Sequence, residues 1–154
     1  MQFRAILEAE AEAVRKGIKV LVEIMIPQVS TAEELKWVYN ILKKVRTEVE
    51  AKYNMKLEFK FGTMIEVVRA CLRADKIAEV TDFFSFGTND LTQATFSFSR
   101  EDAESKFLPL YNEKKILRDN PFEILDVNGV GKLMMMAVEL GRKTNKNLKI
   151  GICG

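Results

Sequence analysis

Six residues in this chain combine chemically useful side chains or backbone with placement at the ends of apolar runs: Glu66, then Gly87, Thr88, Asn89 and Asp90 in succession, then Cys153. Glu66 follows the run Leu57–Ile65, the Gly87–Asp90 group follows Phe83–Phe86, and Cys153 closes Leu148–Cys153. Runs this short, rich in β-branched and aromatic residues, read as buried strands, so each candidate sits at a strand's C-terminal end. A strand that opens through glycine into Thr-Asn-Asp brings backbone N–H groups, an amide and a carboxylate to one spot. That is equipment for holding a small anion beside a hard cation. Glu66 and Asp90, with few basic residues beside them in sequence, suit Mg2+, which takes oxygen ligands, keeps several waters and draws one or two carboxylates from protein. Plainer readings stand beside these: Glu66 as a solvated strand-end acid, Asp90 as a helix N-cap, Cys153 as a packing residue in an apolar strand. Cys71 reads as a mid-helix packing residue, and Met134–Met136 as a core stripe of gap-filling side chains.

The elements that position these residues alternate. Phe3, Ile6, Leu7, Ala11 and Val14 recur at helical spacing, with Gly17 as a C-terminal stop. Val20–Ile26, closed by Pro27, predicts a strand buried on both faces. Ser30-Thr31-Ala32-Glu33 has the spacing of a capping box, and Leu35, Val38, Leu42, Val45 and Val49 carry the buried stripe of the helix that follows, with Asn54 in the turn that ends it. After the strand Leu57–Ile65, residues 69–74 and 75–80 read as short helical pieces before Phe83–Phe86. A long polar connection follows Gln93, and connections of that length usually carry function or an interface. Val130, Leu133, Ala137 and Leu140 mark a last helix before the turn Lys143–Asn147 and the final strand. Alternating strands and helices without hairpin signals imply a parallel sheet: either an open doubly wound sheet or part of a (β/α)8 barrel. A full barrel takes about 250 residues, and 154 residues would supply roughly half of one. A parallel strand with no helix after it is an odd place for a domain to stop, so truncation is the expectation.

Composition narrows the function classes. Residues 1–154 read as one unit, 47% hydrophobic and 30% charged, with no linker. A net charge of +2, without runs of like charge, gives no nucleic-acid surface. No apolar run reaches membrane-spanning length, and the N-terminus is an acidic amphipathic helix rather than a signal peptide. Two cysteines make neither a disulfide framework nor a zinc motif, which fits a reducing, cytoplasmic setting. With no histidine, the chain contains no Ser–His–Asp triad and no phosphohistidine.

Four motifs, GTMIEVVRA at 62–70, FFSFGTNDLTQATFSFSRED at 83–102, NPFE at 120–123 and KIGICG at 149–154, together resemble the pyruvate phosphate dikinases, members of the phosphoenolpyruvate (PEP)-utilising enzymes. The resemblance is to their C-terminal PEP/pyruvate-binding barrel, spans essentially the whole chain, and implies strands 5 to 8 of a (β/α)8 barrel. It implies interconversion of ATP, phosphate and pyruvate with AMP, diphosphate and PEP, through a phosphohistidine on another domain of the same parent chain, in a cytoplasmic homodimer. On this pattern Glu66 and Asp90 match Mg2+ ligands, and Gly87, Thr88 and Asn89 match the turn that contacts substrate oxygens. Cys153 matches the residue that moves a proton at the methyl carbon of the enolate. The chain departs from the family at Glu66-Val67-Val68-Arg69-Ala70, where the usual pattern is Glu-x-Pro-Arg-Ala. It also stops before the usual Glu-His-Gly-Gly and lacks the arginines of the first four strands, so it is expected to be inactive alone. PEP synthase and phosphotransferase-system enzyme I share the GTND and CG motifs. A dimerisation module without catalysis is the alternative from another class.

Overall fold

Val22–Ile26, Phe59–Ile65, Phe83–Gly87 and Lys149–Cys153 form strands β1 to β4 in a computed structural model that describes residues 1–153. The helices are α1 (Gln2–Arg15), α2 (Ala32–Tyr53), α3 (Val68–Leu72), α4 (Ala74–Ile77), α5 (Thr88–Phe96), α6 (Arg100–Lys106), α7 (Leu108–Glu113) and α8 (Val130–Thr144). All strand pairings are parallel, and the four-stranded sheet runs in sequence order, β1-β2-β3-β4. A doubly wound sheet reverses direction at a switch point. Here each new strand adds to the same edge, consistent with part of a (β/α)8 barrel. Lys149 Nζ on β4 reaches Glu23 Oε1 on β1 at 2.8 Å. In a flat sheet those edges stand three spacings of about 4.8 Å apart, and the ion pair fits a sheet that curls toward the face carrying both side chains.

The two faces differ in chemistry. Ile24, Phe61, Ile65, Phe84 and Phe86 point to the helices and are buried. Glu23 and Lys149 on the other face are exposed, and Met25 is 40% exposed. The strand predicted over Val20–Ile26 is therefore covered on one side only, because among the described residues no helix packs on the concave face. Gly62 on β2 makes room for the ring of Phe83.

The capping box of α2 lies one residue later than the sequence spacing suggests. Thr31, not Ser30, is the N-cap: its Oγ1 accepts the Glu34 N–H at 3.2 Å, and the Glu34 carboxylate accepts from the Ser30 and Thr31 N–H groups at 2.7 and 2.8 Å. One carboxylate satisfying two donors, with both hydrogen bonds holding Glu34 Oε2 below the usual carboxylate range, decides the register. Asn54 ends the helix in the left-handed conformation, φ 51°. The α1 helix docks on α2 by burying Leu7 and Ala11, with ion pairs Arg4–Glu48 and Lys52–Glu8 and a hydrogen bond from Arg15 Nη2 to Tyr53 O around them.

Within that contact Glu10 is buried. Its Oε1 accepts the Glu58 N–H at 3.0 Å while Oε2 has no partner. Burial raises its carboxyl above the ordinary 4.5, against smaller lowering by the Glu58 N–H and Arg46; Glu50 and Glu58 add to the rise. An acid whose folded pKa is raised contributes stability that is present below its unfolded pKa and is lost as pH rises through the folded value. Urea midpoints of the wild type should therefore fall relative to Glu10→Gln as pH rises above 4.5. Parallel pH profiles for the two would rule this out.

The α8 helix lies over α3 and α4 and presents Gly141 to Leu148 and Phe84. The methionines of this helix divide: Met134 packs partly buried against the core, Met135 is 61% exposed, and both line an apolar cleft of about 550 Å3 with Phe86, Ile150 and Ile152. Among the described residues no helix is long and apolar enough to cross a membrane.

Candidate functional site

β2 ends at Ile65, and the next residue, Glu66, is only 6% exposed. Beyond the end of β1, Gln28 adopts φ 55° and donates its backbone N–H to Glu66 Oε1 at 2.8 Å. Oε2 faces Gly87 at the end of β3, where an added Cβ would lie 2.5 Å from it and 2.9 Å from Met64 Sδ. Gly87 has φ −92°, open to any residue, so space rather than backbone conformation demands glycine here. Glu66 forms no ion pair among the described residues. It is not a solvated strand-end acid. A buried carboxylate with one donor has unused acceptor capacity. The valine at 68, where proline is usual, does not disturb this: α3 starts there, and Arg69 Nη1 ties its first turn to Ser30 O at 2.6 Å.

Thr88, Asn89 and Asp90, expected in a turn, are instead the first turn of α5, with Gly87 as N-cap. Asp90 is the third helical residue and not the cap. Among the described residues no side chain caps this helix, which leaves its first N–H groups without a side-chain acceptor. In the parallel ladder Gly87 is the register partner of Cys153. Thr88 Oγ1 donates to Cys153 O at 3.4 Å, and Cys153 Sγ lies 3.8 Å from Met64 Sδ. The ends of β2, β3 and β4 therefore bring Glu66, the Gly87–Asp90 group and Cys153 to one side of the sheet. Cys153 is exposed, which overturns its reading as a packing residue, whereas Cys71 is buried with its thiol pushed up to about 11 by desolvation. Sequence reasoning missed one residue of this region. Arg100, at the start of α6, donates from Nη1 to Asn89 Oδ1 at 3.0 Å. It is the basic group that the local sequence around Asn89 did not supply; its only signal was its place in the run FSFSRED.

The residues that line the strand ends fall in the motifs of one family, and the sequence matches it across residues 1–154: PEP-utilising enzyme, PEP-binding domain. The chain belongs to the PEP-utilising enzymes. Pyruvate, phosphate dikinase of Entamoeba histolytica is 59% identical over 155 residues, covering 100% of this chain and 18% of that protein. Pyruvate, phosphate dikinase 1, chloroplastic, of Arabidopsis thaliana is 51% identical, and pyruvate, phosphate dikinase, chloroplastic, of Flaveria bidentis 49%, each over 100% of this chain and 16% of its own length. The chain thus spans less than a fifth of these relatives.

The carboxylates available to a hard cation at these strand ends are Glu66 and Asp90. Among the described residues no group of three or more His, Cys, Asp or Glu converges. An ion here would rest on Glu66 and Asp90 and complete its shell with water and ligand oxygens, the habit of Mg2+ rather than of a caged metal. The two thiols should also separate cleanly. At pH 8 a thiol reagent should modify Cys153 rapidly and Cys71 only after denaturant is added, since the buried thiol is almost wholly protonated there. Two fast equivalents in the folded protein would contradict this placement.

Proposed function

We propose that this domain binds the pyruvate/PEP partner of a pyruvate phosphate dikinase reaction and supplies its Mg2+ carboxylates and proton-transfer thiol. As the resemblance to the pyruvate phosphate dikinases implies, the phosphoryl group would arrive on a histidine of another domain; this chain contains no histidine. The observation that carries the reading is the Glu66 carboxylate, buried without a cation partner and fixed by the Gln28 N–H at the rim of the α5 N-terminus. Its second oxygen, facing Gly87, has no hydrogen-bond or ion-pair partner among the described residues, which leaves acceptor capacity for a cation.

Pyruvate accepts a phosphoryl group at its enolate oxygen, so negative charge must be stabilised there. Bound Mg2+, held by Glu66 and Asp90, would stabilise that charge and that of the substrate carboxylate. Free N–H groups of the α5 first turn, with Thr88 and Asn89, orient the substrate oxygens. The Cys153 thiolate takes a proton from the pyruvate methyl as the enolate forms, and the thiol returns it in the reverse direction. Its exposure at the end of β4 leaves it accessible to a substrate on this side.

Calorimetric titration of oxalate, which mimics the enolate, tests the reading on this chain. Binding should require Mg2+ and should be lost in Glu66→Gln, which keeps the shape and the Gln28 acceptor but removes the charge. Oxalate binding indifferent to Mg2+ or to the substitution would reject the assignment.

A further inference from the structure

We propose that Arg100 is a positioning residue for Asn89, setting its side-chain amide so that the NH2 group, and not the carbonyl, faces the ligand. The inference rests on the reading of the strand ends as an oxyanion-binding site, and goes beyond it by assigning the device that makes Asn89 a donor.

A guanidinium has only donors, so the Asn89 atom it touches at 3.0 Å must be the carbonyl oxygen. With Oδ1 taken, Nδ2 and its two hydrogens occupy the opposite branch of the planar amide. An amide free to rotate would sample the orientation that points its oxygen at the anion, which is repulsive, and would lose that freedom on binding. Arg100 removes that ambiguity.

Arg100 is itself fixed from three sides. Its Nε donates to Glu104 Oε2 at 3.2 Å, its guanidinium lies 5.4 Å over the Phe122 ring, and its backbone N–H donates to Gln93 Oε1 at 2.9 Å. Glu104 in turn accepts from Asn120 Nδ2 at 3.0 Å, and Asn120 Oδ1 accepts the Phe122 N–H at 3.0 Å. The motif Asn120–Glu123 therefore buttresses the arginine, and the long connection after Gln93 gains a role in orienting Asn89. Glu104 and Phe122 also explain why arginine suits this place: lysine has neither the plane for the ring nor the fork to reach Glu104 and Asn89 together.

The test uses the intact chain, labelled with nitrogen-15. In Arg100→Met the side-chain NH2 signals of Asn89 should shift, and Mg2+-dependent oxalate affinity should fall about tenfold or more; Arg100→Lys should recover only part of it. In an Asn89→Ala background, Arg100→Met should cost no further affinity, a non-additivity that a merely structural arginine would not give. Thermal melts of each variant separate loss of fold from loss of orientation. Unmoved Asn89 amide signals in Arg100→Met, or affinity losses that multiply in the double variant, would overturn the proposal. If the wild-type chain fails to bind oxalate, the metal–enolate reading fails, while the amide signals still decide the orientation.

Discussion

Gly87→Ala should abolish Mg2+-dependent oxalate binding and destabilise the domain by about 1–3 kcal/mol, the usual range for overpacking a tight site. The new methyl group would lie 2.5 Å from Glu66 Oε2 and 2.9 Å from Met64 Sδ, distances at which something must move. Glu66 has little freedom to yield, because its other oxygen is held at 2.8 Å by the Gln28 N–H. If the carboxylate swings away it loses that donor and leaves the rim of α5. If β3 shifts instead, the Gly87–Cys153 register is disturbed. Either route separates the groups assigned to the metal from those assigned to the substrate. Gly151→Ala is the matched control, since its nearest neighbour would be at an ordinary 3.7 Å. Oxalate binding of wild-type strength in Gly87→Ala, by calorimetry, would show that the carboxylate is not confined as described.

Phe84→Ala should cost about 3–5 kcal/mol, a large share of the roughly 5–15 kcal/mol that holds a typical domain folded. Phe84 is fully buried on the helix-facing side of β3, and its ring lies so near α8 that a Cβ on Gly141 would come within 2.8 Å of it. Deleting the ring opens a hole in the contact between sheet and α8, and the helix cannot close it easily because it also rests on α3 and α4. The urea midpoint should fall sharply with little change in slope. A loss under about 1 kcal/mol would mean that α8 collapses onto the vacated space, contrary to the range expected for a well-packed phenylalanine.

The parts of this molecule that periodicity controls were legible in the sequence. Apolar runs located β2, β3 and β4 closely, and the Leu35–Val49 stripe located α2. The alternation of strand and helix required a parallel sheet, and Glu66, Gly87–Asp90 and Cys153 had to share its C-terminal side. What the pattern could not convey was which face is covered: Val20–Ile26 is nearly as apolar in composition as a strand sandwiched between layers, yet Met25 is 40% exposed. Nor could it tell a turn from a helix start. Gly87 read as part of a turn that delivers backbone N–H groups, and the pattern gave no sign that a carboxylate arriving from another strand also crowds it. Arg100 was invisible for the same reason, since its partner Asn89 is reached only after the chain has folded back. Contacts between segments distant in sequence leave no period to read.

The sequence-ordered sheet also has a kinetic side. Registering β2 on β3 spans only residues 66–82, whereas registering β4 on β3 must close over residues 88–148. On loop-closure entropy alone that longer span costs about 1 kcal/mol more, before the intervening helices shorten it. The pairing that brings in Cys153 is thus the costliest of the three to nucleate. In a refolding chain the carboxylate of Glu66 and the amide of Asn89 directly follow strands that can meet early, and the thiol belongs to the strand that joins them late.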